Sequence, residues 1–185
     1  MSKGNKGSPK KITLGNVTLV PLPNQLFIRI RPSSDQNGIF TLLKDQHLKI
    51  KQINELSPTQ FHIIFETRIE INSLISKLLQ HPDMEYASTV YINAKDPRRT
   101  EIVPTDRILI QVKQPFEGIT GSLEKFGLQI LETRDVNDQR LIVTKIKNPN
   151  SLNAIKIIEK LKAIDIVDLV EPDFLMLRPA ILKKN

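Results

Sequence analysis

The side chains best suited to chemistry in this chain are acids, and they stand close together near its C-terminal end. Glu171 and Asp173 flank Pro172 in the run Ile166–Phe174, which reads I-V-D-L-V-E-P-D-F. Two carboxylates work as an acid and a base only when another group orients them or a nucleophile stands beside them. No histidine is near them in sequence. The three histidines, His47, His62 and His81, fall at a helix end, in a strand and at a helix end, without metal-ligand spacing, and read as surface or edge residues. The absence of cysteine excludes disulfides, thiol catalysis and Cys-ligated zinc. Gly118 and Gly121 flank Ile119-Thr120 without the rest of a phosphate-binding fingerprint. No serine sits in a Gly-x-Ser-x-Gly elbow. The expectation is a chain that is not an enzyme and needs no cofactor or metal. Glu171 and Asp173 are then either binding groups or solvated acids of a turn.

Charge is the other feature that could carry function. The formal net charge is +7 over 185 residues. Residues 1–24 hold four lysines and no acid, and residues 178–185 hold Arg178, Lys183 and Lys184 and no acid. What lies between has 20 basic and 20 acidic residues. Neutralising several phosphates takes a sustained basic excess on a folded surface. Here the excess sits in the ends, so nucleic acid is not expected as the main partner. Base-stacking residues on a sheet would be Phe27, Phe61 or Phe65, but the Lys/Arg-Gly-aromatic signature of an RNA-recognition module is missing around them.

No apolar run approaches the ~20 residues that span a bilayer, and Met1–Lys11 lacks the apolar stretch of a secretory signal. A cytoplasmic chain with no membrane partner is expected, with secretion left open. Residues 1–11 are too polar to order themselves. Ile12–Val20 alternates around Gly15-Asn16 as a weak hairpin or extended arm, stopped by Pro21 and Pro23. Residues 1–24 together read as a flexible basic arm.

From residue 25 the elements follow one another clearly. Leu26–Arg31 is a strand. Asp35–Gln46 is a helix, Leu48–Ile53 a strand, Ser57-Pro58 a turn and Phe61–Phe65 a strand. Ile71–Leu79 has helical spacing and ends at His81-Pro82. Met84–Ile92 closes a first unit, residues 25–92. Residues 93–106, with Pro97 and Pro104 and no periodicity, read as a linker. The order then recurs over 107–177. Arg107–Lys113 is a strand, and Gly118–Phe126 is a helix with Gly127 at its C-terminal cap. Leu128–Glu132 and Arg140–Ile146 are strands, Ser151 caps a helix, and Ile166–Val170 is the last strand. Residues 178–185 form a basic tail.

The recurrence can be aligned. Ile28 and Ile30 match Ile110 and Val112 at an offset of 82; Leu48, Ile50 and Phe61 match Leu128, Ile130 and Leu141 at 80; Ile75, Lys77 and Leu78 match Ile158, Lys160 and Leu161 at 83. The fold class expected is α+β, as two tandem ferredoxin-like βαββαβ sandwiches. Each has an antiparallel four-stranded sheet with two helices on one face. The other face of each sheet is left for the sister unit or a partner.

The second unit resembles the inhibitory prodomain of subtilisin-like serine proteases, including the fervidolysin-like prodomains. The resemblance rests on Leu109-Ile110-Gln111-Val112-Lys113, on Phe126-Gly127-Leu128, and on a closing segment of the type Val-Glu-Tyr-Ala-Glu-Pro-Asn-Tyr, represented here by Val167–Phe174. The first unit fits less well. Met84, Glu85, Tyr86, Ala87 and Tyr91 agree, but Ser88, Thr89 and Val90 stand where Glu, Pro and Asn or Asp belong. The resemblance implies an intramolecular chaperone and inhibitor whose partner is a subtilisin-like serine protease, in cis before processing or as a separate chain. It implies that Glu171, Asp173 and Phe174 contact the protease through the open sheet face, the acids capping helix N-termini with their unpaired amides. It also implies that Leu182, Lys183, Lys184 and Asn185 lie in the substrate cleft. The alternative reading is a stand-alone regulatory or scaffold protein that uses paired sheets to bind another subunit, and a pair of RNA-binding modules is a third.

Overall fold

The computed structural model describes residues 11–14, 17–34, 36–148 and 154–177. The chain is α+β, and its described residues form nine strands paired mostly antiparallel and four short helices. The strands are β1 (Ile12–Leu14), β2 (Val17–Ile30), β3 (Ile50–Ser57), β4 (Gln60–Phe65), β5 (Met84–Asn93), β6 (Glu101–Lys113), β7 (Leu128–Val136), β8 (Gln139–Ile146) and β9 (Val167–Leu177). The helices are α1 (Gln36–Asp45), α2 (Ile71–Leu78), α3 (Ile119–Lys125) and α4 (Ala154–Leu161). The described residues divide into two compact units. One runs to Val103 and includes Met176 and Leu177; the other is Pro104–Leu175.

In the first unit the strands lie in the order β3-β4-β2-β5, with β1 on β2 and the first residues of β6 on β5. Leu26, Ile28 and Ile30 of β2 alternate inward, and Phe61, Ile63 and Phe65 of β4 do the same, since successive strand residues point to opposite faces. Against this face pack Ile39 and Leu43 of α1 and Ile71, Leu74 and Leu78 of α2, all in one core with Met84 and Ala87 of β5. The spacing of the α2 residues is what an amphipathic helix requires. Both helices therefore cover the same face.

In the second unit β8 lies between β6 and β7, and β9 pairs with β6. Ile108, Ile110 and Val112 of β6 are buried, as are Ile142 and Ile146 of β8. Ile119 and Leu123 of α3 and Ile157, Ile158 and Leu161 of α4 are buried as well. Thr144 is enclosed too, and its hydroxyl donates to the Ile108 carbonyl at 3.1 Å, so no donor is stranded. Helix α3 ends as its sequence indicates: Gly127 adopts φ 72° just past the cap residue Phe126, and its N–H donates to the Glu124 carbonyl at 2.9 Å.

Several boundaries differ from expectation, each for a physical reason. Residues 12–14 and 17–24 fall in the expected flexible arm but are strand, and β1 with the start of β2 forms the hairpin that is one of the two expectations for Ile12–Val20. Leu14 pairs with Val17, and Leu19 is fully buried. Pro21 and Pro23 do not stop β2: Pro21 stays in register opposite Tyr91, and Pro23 falls in the irregular stretch between Pro21 and Leu26, where the ladder is interrupted. Part of the expected linker 93–106 is also strand: β6 begins at Glu101, and Val103 and Asp106 are buried. The last strand does not end at Val170 but continues through Pro172 to Leu177. The aligned offsets shift as well. Ile28 is opposite Phe61, and Ile110 is opposite Ile142, so Phe61 corresponds to Ile142 and not to Leu141. A slip of one residue moves a side chain to the other face. The Ser151 cap lies outside the described residues.

Candidate protein-docking face

The face of the second unit opposite its helices is built by cross-strand pairing, row by row. Arg107 of β6 is opposite Lys145 of β8, which is opposite Gln129 of β7. The next rows are Leu109, Val143 and Glu132, then Gln111, Leu141 and Arg134, then Lys113, Gln139 and Val136. Leu109, Val143 and Leu141 are half-buried and form an apolar middle, with Leu131 at the irregularity in β7 44% exposed. Charged and amide side chains surround it.

Strand β9 adds the acids. Its first residue is held by the preceding peptide, whose Ile166 carbonyl accepts from the Lys113 N–H at 2.9 Å. Asp168 fastens the same end, with Oδ1 2.6 Å from Lys113 Nζ and Oδ2 accepting from Gln139 Nε2 at 2.9 Å. Along β9, Val170 and Pro172 are buried, whereas Leu169 and Glu171 are exposed and Asp173 is half-buried. Strand alternation thus puts Leu169, Glu171 and Asp173 on the face away from Val170. Phe174, the third site residue expected from sequence, is half-buried and falls on the other parity, with Pro172 and Val170. Glu171 is exposed and has no hydrogen-bond or ion-pair partner among the described residues. Leu182, Lys183, Lys184 and Asn185 lie outside the described residues.

Several other charges nearby are paired. Lys145 Nζ is 3.5 Å from Oδ2 of the buried Asp106, Arg134 pairs with Glu132, and Arg140 makes two bonds to Asp135 at 2.6 and 3.1 Å. Those bonds hold the Asp135 carboxyl below the usual carboxylate range and raise the guanidinium of Arg140. Arg140 also stacks 4.1 Å over the Phe116 ring.

The corresponding face of the first unit is closed. Phe27 is 1% exposed, His62 3% and Tyr86 7%, although all three point away from the helix-covered core. Ser88, Thr89 and Val90, in the place of Glu171, Pro172 and Asp173, are buried. The three phenylalanines considered for base stacking are therefore enclosed, Phe27 on this face and Phe61 and Phe65 in the helix-side core. No aromatic residue stands in the four rows of the second unit's open face.

His62 is the polar residue whose setting the sequence reading missed. It is not a surface histidine. Its Nε2 lies 2.7 Å from Gln25 Oε1 and its Nδ1 3.4 Å from Asn54 Nδ2, and Gln25 Nε2 donates to Glu101 Oε1 at 2.9 Å. Burial lowers its pKa, and the nearby Glu101 carboxylate opposes this only in part. The signal was present in the run Phe61–Phe65, F-H-I-I-F, where apolar residues on both parities mark a strand buried on both faces. Among the described residues no group of three or more His, Asp and Glu side chains is arranged to hold a metal ion, and no helix is long and apolar enough to cross a membrane.

No protein-family model matches this sequence, and no curated protein matches it.

Proposed function

We propose that the chain is a tandem pair of ferredoxin-like sandwiches and acts as a prodomain-like chaperone and inhibitor of a subtilisin-like serine protease, docking through the open face of its second unit. Each unit runs strand, helix, strand, strand, helix, strand, and in each the sheet order is fourth, first, third, second, as a ferredoxin-like sandwich requires. The observation that carries the binding assignment is the contrast between faces: the first is enclosed, and the second has an apolar middle and the exposed Glu171, which has no partner among the described residues. The half-buried Asp173 stands on the same side. Carboxylates at the edge of an apolar patch suit a protein surface that offers helix N-terminal amides. Binding protein without turning over substrate agrees with the lack of any nucleophile, base and orienting group in recognisable sequence. The tail residues Leu182–Asn185 would occupy the substrate cleft.

The test is an inhibition constant for the full chain against subtilisin, beside that of the Glu171→Ala/Asp173→Ala variant. Charge-assisted bonds contribute about 1.5–3 kcal/mol each, so the double variant should inhibit at least about tenfold more weakly with an unchanged unfolding midpoint. Equal inhibition by both proteins removes the acids from the site. No inhibition by the unaltered chain, with a partner of another class bound to the same face, makes it a scaffold protein instead.

A further inference from the structure

The hydrogen-bonded line through His62 crosses four strands of the first unit and has only one satisfactory protonation state. Asn54 of β3 stands directly opposite His62 of β4, and the line continues to Gln25 in the irregular stretch of β2 and to Glu101, the first residue of β6. Gln25 Oε1 must accept, because Gln25 Nε2 is committed to Glu101 Oε1. His62 therefore carries its proton on Nε2. Asn54 Oδ1 in turn accepts from Gln52 Nε2 at 2.5 Å, which leaves Asn54 Nδ2 to face His62 Nδ1 as a donor. Neutral imidazole satisfies every member. A second proton on Nδ1 would point one donor at another. Asn54 could then bond His62 only by turning its amide and giving up Gln52.

We propose that His62 is a pH-sensitive latch of the first unit: its neutral form ties the edge strand β3 to the sheet, and its protonation releases Asn54 and loosens β3. The environment favours the neutral form. His62 is 3% exposed, and the groups that β3 turns toward it, Gln52 and Asn54, are uncharged. From β2 and β5 the charged groups on the same face are Arg29 and Glu85. They pair with each other at 3.2 Å, with Arg29 also 5.6 Å from the ring centre of Tyr86. From β6 comes Glu101, joined to His62 through Gln25; its negative charge favours the imidazolium, and burial outweighs it. Strand β3 is the element to yield, because it is paired on one side only, and that pairing is irregular near both ends. This device is independent of the proposed protease partner, since it concerns the stability of one strand in the free chain.

Hydrogen exchange on the full chain tests it. After correction for intrinsic rates, those amides among Ile53, Asn54 and Glu55 that bond to β4 should exchange about tenfold or more faster at pH 5 than at pH 7.5, one pKa unit corresponding to a factor of ten. The His62→Gln variant, whose amide can donate and accept without titrating, should lose that difference, and His47→Gln should keep it. Equal β3 protection at both pH values, or the same pH dependence in His62→Gln, overturns the proposal. Should His62→Gln fail to fold, the unaltered chain still decides by NMR: β3 amide shifts must follow the titration of the His62 ring, and independence of the two overturns the latch.

Discussion

Tyr86 of β5 and Leu169 of β9 align in the sequence recurrence of the two units, and their surroundings are opposite. Tyr86 is 7% exposed and Leu169 47%. The same holds one step along each strand, where Ser88 is buried and Glu171 is exposed. On the neighbouring strands Phe27 is enclosed, and its counterpart Leu109 is only half-buried. The copies share their strand order and the residues under their helices. They differ on the face that the helices leave free. Each unit thus keeps one sheet face for its helices, and the units differ on the other. In the first unit that face is enclosed, with a histidine line to satisfy its polar atoms. In the second, Leu169 and Glu171 remain exposed.

The largest effect expected from this difference is on stability. Phe27→Ala should cost about 3–5 kcal/mol in urea denaturation, the usual range for removing a buried phenylalanine side chain, whereas Leu169→Ala should change stability by less than about 0.5 kcal/mol. Similar losses for both would mean that the faces are not differently covered. The next effect is on binding. Leu169→Asp should weaken subtilisin inhibition by about tenfold or more, or ~1.4 kcal/mol, while leaving the unfolding midpoint in place. An unaltered inhibition constant would take Leu169 out of the interface.

A third distinction concerns pH. All three histidines belong to the first unit. The folded-state pKa of His62 is lowered, so the stability linked to it is fully present above the unfolded value of about 6.5 and is lost as pH falls through the lower folded value. Exchange protection in β4 should therefore weaken between pH 7 and 5, while that in β6 and β8 holds. In the second unit the Asp135 carboxyl is lowered by Arg140, so its contribution is present above about pH 4 and is lost only on further acidification. Loss of both units together at pH 6 would contradict this order. The smallest effect should come from Asp168→Asn. It removes an ion pair with the largely exposed Lys113, worth about 0–1 kcal/mol, and thermal denaturation should barely shift.

Much of the architecture follows from local pattern. Alternation in Leu26–Ile30 and Arg107–Lys113, helical spacing in Ile71–Leu78, and the position of Gly127 each state a backbone conformation that neighbouring residues enforce. The correspondence of Leu78 with Leu161, both fully buried, is legible for the same reason. The acids at 171 and 173 could be singled out because proline between two carboxylates is conspicuous in sequence. Local rules failed where a distant strand changed their consequence. Pro172 reads as a strand end, since it lacks a donor, but β9 carries it as an interior residue. Pro21 lies within β2 opposite Tyr91, and Pro23 in the stretch where that pairing is irregular. Period 2 tells which residues share a sheet face, but it cannot tell whether that face meets water. That depends on which residues, remote in sequence, lie over it. His62 and Glu171 are the two cases here. Each alternates outward from a helix-covered core, and only the tertiary structure encloses one and leaves the other exposed.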